Sequence, residues 1–92
     1  MSRALLDSVV LKYIDAKLLV DGYITTNDLN TVFTLGRQKS SKLFTCYREA
    51  SPNNMVHDLN KRKYVIGSGF KSVYLGDKCP KEYLKSTTMV FN

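Results

Sequence analysis

The apolar residues near the N-terminus of the chain recur with the period of a helix. They follow an i, i+3, i+4, i+7 series and are Leu5, Leu6, Val9, Val10, Tyr13, Ile14 and Leu18. Charged residues occupy much of the other side, namely Asp7, Lys12, Asp15 and Lys17. The pattern predicts one amphipathic helix over Arg3–Asp21, which Gly22 ends.

A second, shorter helix is predicted over Thr26–Phe33, after a short extended stretch at residues 23–24. Thr25 precedes this helix and Asp28 follows three positions later, which is the spacing of a capping box. The apolar residues of the helix would face the core. Residues 34–36, Thr-Leu-Gly, then form a tight turn.

A third helix is predicted over Arg37–Ala50, and Pro52 ends it because proline cannot continue a helix. Its inward face consists of Ser40, Leu43, Phe44 and Tyr47. Small Ser40 would let two helices approach closely. The opposite face carries long donors and small hydroxyls, Arg37, Gln38, Ser41, Lys42, Thr45 and Arg48, with Lys39 on the flank.

Two strands and a less regular tail follow the third helix. Residues 55–57 and 63–66 are of strand type, and residues 58–62 join them as a hairpin. Pro80 could open a short helix through Lys85, whereas Thr87–Phe91 looks like a strand without a partner. Such a strand at a chain end favours pairing with a second copy.

These elements predict an α+β fold of three helices and a β-hairpin wing, with a short C-terminal extension. We expect one domain over residues 1–70, and an extension over residues 71–92 that is a candidate dimerisation segment. The second and third helices are spaced as a helix-turn-helix, and the hairpin is placed as the wing beside it.

Positive charge is concentrated in this motif. The formal net charge of the chain is +6 and its pI is near 9.4. Residues 1–36 carry three basic and four acidic groups, residues 37–63 seven basic and two acidic, and residues 64–92 four basic and two acidic. The local balances are therefore −1, +5 and +2. An excess in the third helix and hairpin indicates a polyanionic partner.

Several function classes are disfavoured by the residues present. Cys46 and Cys79 form no CxxC pair, and we expect reduced structural thiols, with Cys46 buried or inert. His57 is the sole histidine, and we expect it to face its strand neighbours rather than to serve as a base or ligand. We therefore expect no enzyme, cofactor, metal or small-molecule ligand.

Charges interrupt the apolar N-terminus, so we expect no membrane span and a cytoplasmic, nucleoid-associated protein of a bacterial or phage-infected cell.

The span from Gly22 to Phe70 resembles the N-terminal winged helix-turn-helix domain of WYL-domain transcriptional regulators, in particular repressors found beside bacterial phage-defence operons. The residues that carry the resemblance are Phe33-Thr34-Leu35-Gly36, Lys39-Ser40-Ser41 with Phe44 and Tyr47, Ser51-Pro52-Asn53-Asn54 with His57-Asp58, Lys61 to Tyr64, and Phe70. Lys39 replaces the usual glutamine, His57 a tyrosine, and Thr34 and Gly36 exchange the usual glycine and serine positions. These departures concern the DNA sequence that is read rather than the fold. Since 22 residues follow Phe70, we expect no WYL effector domain.

The resemblance implies a sequence-specific regulator of double-stranded DNA, most simply a repressor that binds an inverted repeat as a homodimer. We expect DNA contacts from Arg37, Gln38, Lys39, Ser41, Lys42, Thr45, Lys61, Arg62 and Lys63. Tyr47 and Tyr64 are expected to pack the third helix against the wing. Two alternatives remain open: an excisionase-like architectural factor of a phage or mobile element, and an inhibitor or antirepressor that kept the fold without binding DNA.

Overall fold

The computed structural model describes residues 3–76 and 78–91, which form four helices and three strands. The helices are α1 (Arg3–Asp21), α2 (Thr26–Phe33), α3 (Arg37–Ala50) and α4 (Pro80–Phe91), and the strands are β1 (Tyr23–Ile24), β2 (Met55–Asp58) and β3 (Lys63–Ile66). The predicted bounds of α1, α2, α3 and β3 are confirmed. The arrangement is a winged helix-turn-helix of the α+β class.

The start of α2 is fixed by the predicted capping box. The Thr25 hydroxyl accepts a hydrogen bond from the Asp28 amide at 3.1 Å, and the Asp28 carboxylate accepts one from the Thr25 amide at 2.8 Å. Gly22 precedes this cap with a φ of 81°, a left-handed conformation that glycine adopts without steric cost. The helix boundary is therefore encoded within a few residues.

The three strands form one antiparallel sheet in the order β1-β3-β2. Tyr23 lies opposite Val65 in one pair of strands, and His57 lies opposite Tyr64 in the other. The extended stretch predicted at residues 23–24 is thus the third strand of the wing sheet. It connects α1 and α2 to the base of the hairpin.

The core lies between α1, α2, α3 and the sheet. The predicted inward face of α3 is confirmed, because Ser40, Leu43, Phe44 and Tyr47 are all buried. Its partners from the other elements include the buried side chains of Val10, Ile14, Leu18, Ile24, Leu29, Phe33 and Met55.

The predicted strand over Thr87–Phe91 is wrong, because these residues continue α4. The Thr87 hydroxyl donates to the carbonyl oxygens of Tyr83, at 2.9 Å, and Leu84, at 3.1 Å. The Tyr83 hydroxyl in turn donates to the carbonyl oxygen of Val9 on α1, at 3.0 Å. Packing on α1 therefore outweighs the strand preference of the β-branched residues in this segment.

Asp15 also departs from the prediction, which placed it on the polar side of α1. The side chain is fully buried, and it accepts hydrogen bonds from residues of the segment between β3 and α4. That segment covers part of the helix that the sequence pattern assigned to solvent.

Among the described residues, no helix has the length and apolar character that crossing a membrane requires.

Candidate nucleic-acid interface

A short turn and one hydrogen bond set α3 across α2. Thr34 ends α2 in the left-handed conformation, with φ 57° and ψ 37°, and Gly36 begins α3. The buried Ser40 hydroxyl donates to the Asn30 side-chain oxygen on α2 at 2.7 Å. The small side chain expected to allow close helix packing therefore also links the two helices of the motif.

The face of α3 opposite the core is exposed to solvent. It carries five of the predicted DNA-binding residues, Arg37, Gln38, Ser41, Lys42 and Thr45, and all five are exposed. The buried positions of α3 alternate with these at helical spacing, so the side chains that hold the helix in place are not those that it presents.

Lys39 differs from these five residues because it is half-buried and turned toward α1. Its ammonium nitrogen lies 2.9 Å from a carboxylate oxygen of Asp7. The structure places Lys39 at the edge of the exposed face, with part of its charge already compensated.

The hairpin is attached to α3 by stacked rings. The Tyr64 ring on β3 lies between Phe44 on α3, with centroids 4.4 Å apart, and His57 on β2, with centroids 4.6 Å apart. The expected packing of Tyr64 between helix and wing is confirmed, as is the contact of His57 with its strand neighbour. Tyr47 instead packs against Tyr74, with centroids 5.7 Å apart, and bonds to Asp15, so it joins α3 to the C-terminal segment rather than to the wing.

The basic residues of the wing occupy two different environments. Lys61 and Arg62 are exposed at the hairpin tip, and Arg62 adopts a left-handed φ of 54°. Lys63 is half-buried at the start of β3, with its ammonium nitrogen 4.3 Å from the centre of the Tyr23 ring. This cation–π contact holds Lys63 against β1.

The structure adds Glu49, Met55 and Val56 to the residues that the sequence pattern singled out. A groove of about 580 Å³ runs between the C-terminal half of α3 and β2, lined by Thr45, Arg48, Glu49, Pro52, Met55, Val56 and His57. Glu49 follows Thr45 by four residues and lies on the same exposed side of α3. That spacing could have identified Glu49 as a residue of the exposed face from the sequence alone. The approach of β2 to α3, in contrast, depends on the fold. Cys46 was expected to be buried or inert, but it is exposed on α3, and Cys79 is exposed too.

Neither Cys46 nor Cys79 lies in a cluster of metal-ligating side chains. Within residues 3–76 and 78–91, no three His, Cys, Asp or Glu residues are grouped closely enough to hold a metal ion. The chemistry that the surface offers is that of hydrogen-bond donors, hydroxyls and positive charges.

Comparison with protein families connects this surface to a class of proteins. The family model of the BrxR transcriptional regulator winged helix-turn-helix domain matches residues 8–89. The chain belongs to this family. The match includes α2, α3, the hairpin and nearly all of α4, so the BrxR-type domain contains both the exposed face of α3 and the helix packed on α1. No curated protein matches the chain.

Membership of the BrxR family confirms the predicted winged helix-turn-helix and the predicted class of transcriptional regulator. The winged helix domain of a transcriptional regulator implies DNA binding. In such domains the second helix of the motif and the wing contact the duplex, and here these elements are α3 and the β2–β3 hairpin.

Proposed function

We propose that this BrxR-type domain binds a specific double-stranded DNA sequence with α3 in the major groove and the hairpin along the adjoining backbone. The two elements are already fixed relative to each other by the Phe44–Tyr64 stack. A helix and a wing held in one arrangement can follow the duplex without reordering, which lowers the free-energy cost of binding.

The division of α3 into a buried and an exposed face is the observation that carries this proposal. Gln38 and Lys42 are exposed one helical turn apart, where Gln38 can donate to the edge of adenine and Lys42 can bind a phosphate beside it. Ser41 and Thr45 provide hydroxyls for bases or phosphates. Arg37 lies at the N-terminus of α3, where the helix dipole and amides without a side-chain cap also favour a phosphate.

Lys61 and Arg62 are the phosphate contacts that we assign to the wing, and we assign weaker contributions to Lys39 and Lys63. The first pair is exposed, whereas Lys39 is held by Asp7 and Lys63 by Tyr23. About five phosphate contacts per protomer give a slope of about −4 to −5 when the logarithm of the binding constant is plotted against that of the salt concentration.

We further propose that the protein is a repressor that binds an inverted repeat as a homodimer and occludes polymerase. One protomer offers a small set of base contacts, and two linked half-sites at least double the salt-dependent contribution. The proposed dimer contacts lie on α1 and on residues 71–92, where Leu19, Val20, Met89 and Val90 expose apolar side chains.

Selection of bound fragments from random DNA provides the operator, and footprinting on it provides the arrangement of half-sites. We expect an inverted repeat, with protection of the major groove by α3. Tandem direct repeats would exclude the symmetric dimer and favour the architectural alternative.

The test of the DNA-binding face is the triple variant Arg37→Ala, Lys42→Ala, Arg62→Ala. The matched control is Lys71→Ala, Lys78→Ala, Lys81→Ala, which removes the same charge from exposed residues outside α3 and the wing. The first variant should lower the salt slope by about 2.7 per protomer and weaken operator binding. The control should retain most of the wild-type salt slope and most of the wild-type affinity for the operator. Equal effects of the two variants would show that total charge, not this face, binds DNA.

A further inference from the structure

Leu59 is an apolar side chain at the tip of the wing, where solubility would favour a polar residue. It is 77% exposed, the highest value for a large apolar side chain among the described residues. Burial of a leucine stabilises a fold by about 1.5 to 3 kcal/mol, so the exposed position contributes little to folding. The exposed Leu59 side chain can therefore make an apolar contact with a partner.

The backbone around Leu59 is fixed. Asp58 ends β2 and pairs with Lys63, which begins β3, so residues 59–62 form the connecting loop. The Asp58 carboxylate accepts hydrogen bonds from the amides of Asn60 and Lys61, each at 3.1 Å. Arg62 closes the loop in the left-handed conformation. Leu59 is therefore presented by an ordered turn rather than by a loose segment.

The loop combines this apolar side chain with positive charge. Lys61 and Arg62 lie two and three residues from Leu59, and both are exposed. The tip lies two residues beyond the His57–Tyr64 pair, whose Tyr64 ring stacks on Phe44 of α3, and the strand rise makes this a reach of about 7 Å. The tip therefore extends beyond the contact with α3, and the Leu59 side chain lines a shallow groove on the hairpin together with Val56 and Val65.

We propose that Leu59 is a wedge that enters the minor groove of the operator and partly unstacks one base step, while Lys61 and Arg62 bind the phosphates on either side. This inference rests on the proposed function, because it assumes that α3 holds the duplex. The minor groove fits both parts of the tip, since apolar residues insert between base steps there and phosphates line its edges.

The wedge gives the wing a way to read sequence without hydrogen bonds to bases. Pyrimidine–purine steps such as TA and CA/TG unstack more easily than others. The operator should therefore carry a flexible step at a fixed distance from the bases that α3 contacts. The wing would select this step by its deformability.

The experiment compares the wild type with Leu59→Ala and Leu59→Met on the selected operator, with 2-aminopurine at the flexible step and a fluorophore at each DNA end. The wild type should raise 2-aminopurine fluorescence and increase energy transfer between the ends, because the step unstacks and the duplex bends. Leu59→Ala should lose both signals and bind about tenfold more weakly. Leu59→Met should retain them, since an unbranched apolar side chain can still insert.

Val56→Ala is the matched control, because Val56 is 62% exposed and lines the same groove as Leu59 but belongs to β2 rather than to the loop at the tip. It should leave both signals unchanged. Thermal unfolding of each variant should match the wild type, since neither side chain is buried.

Three results would overturn the wedge. One is an unchanged bend and fluorescence in Leu59→Ala while the operator remains bound. Another is equal loss in Val56→Ala and Leu59→Ala together with a lower molecular mass, which would show that the apolar wing face binds protein. A third is Leu59-dependent sedimentation with phosphatidylserine vesicles but no signal on DNA. If the wild type binds no selected DNA at all, the proposed function itself fails, which distinguishes that failure from failure of the wedge alone.

Discussion

The hydroxyl of Tyr47 on α3 donates a hydrogen bond to the carboxylate of Asp15 on α1, and both side chains are fully buried. The other Asp15 oxygen accepts hydrogen bonds from the Ser72 hydroxyl at 3.1 Å and from the amides of residues 73–75 at 2.7 to 3.0 Å. The Asn54 side chain continues this network by donating to the Tyr47 hydroxyl at 3.1 Å and to the Lys71 carbonyl oxygen at 2.8 Å. One carboxylate thus joins α1, α3 and the segment that leads to α4.

Asp15→Ala should lower the free energy of unfolding by about 3 to 5 kcal/mol, because it leaves one buried hydroxyl and three amides without an acceptor. Urea denaturation measures the change. Asp21→Ala is the control, since Asp21 is an exposed carboxylate of the same helix that is paired with Lys17, and it should cost less than about 1 kcal/mol. A similar loss in both variants would contradict the role of the buried network.

Alkaline pH should weaken the fold through Tyr47. Burial, and then the hydrogen bond to Asp15, raise the pKa of Tyr47 above its ordinary value of 10.0. The folded protein therefore holds the phenol proton more tightly than the unfolded chain. The contribution of the Tyr47 phenol to the free energy of unfolding is fully present below about pH 10. It is lost as the pH rises through the raised pKa of the folded state.

Tyr47→Phe should be less stable than the wild type at neutral pH, yet lose less stability between about pH 8 and pH 11. Urea denaturation across this range provides the comparison. The pKa values of Tyr13, Tyr74 and Tyr83 are also raised by burial, but these groups remain in both proteins and largely cancel in the difference. Parallel pH profiles would contradict this account.

Gly67→Ala should destabilise the base of the wing by about 1 to 3 kcal/mol. A Cβ at this position would overlap the carbonyl oxygen of Asn53, and the Gly67 amide already donates to the Asn54 carbonyl oxygen at 2.8 Å. Gly69→Ala is the control two residues later, where a Cβ would make an ordinary contact with Asn53 at 3.4 Å. Thermal unfolding should separate the two variants, and equal midpoints would argue against the steric cause.

Lys42→Ala and Lys39→Ala should affect DNA binding differently although both remove one charge from α3. Lys42 is exposed, so its loss should reduce the salt slope by about 0.9. Lys39 is already paired with Asp7, so its loss should change the slope less. Titrations of the operator at several salt concentrations test this, and a larger effect from Lys39 would reverse the assignment.

The double variant Met89→Glu, Val90→Glu should convert the proposed homodimer to a monomer. These side chains are 74% and 73% exposed on α4, and buried carboxylates would destabilise an apolar contact between copies. Sedimentation measures the mass with and without operator. Val56→Glu introduces one carboxylate at an exposed apolar residue of the wing and should leave the mass unchanged. A wild type that is monomeric even on its operator would remove the proposed dimer.

Local patterns in the sequence were sufficient for the first three helices and the hairpin. The apolar period of α1, the Thr25–Asp28 cap and the proline after α3 each act within a few residues, so no knowledge of distant contacts was needed. The exposed face of α3 followed in the same way, because the inward positions of a helix determine which positions face outward.

Only the tertiary structure decided which polar residues remain exposed to solvent and able to bind a partner. Asp15 lies on the polar side of α1 in the sequence pattern, but it is buried by Ser72 and its neighbours, 57 to 60 residues away along the chain. Asp7 on α1 compensates Lys39 on α3, and α1 stabilises α4 as a helix where β-branched residues favour a strand. Periodicity and caps report interactions between near neighbours, whereas burial depends on segments that only folding brings together.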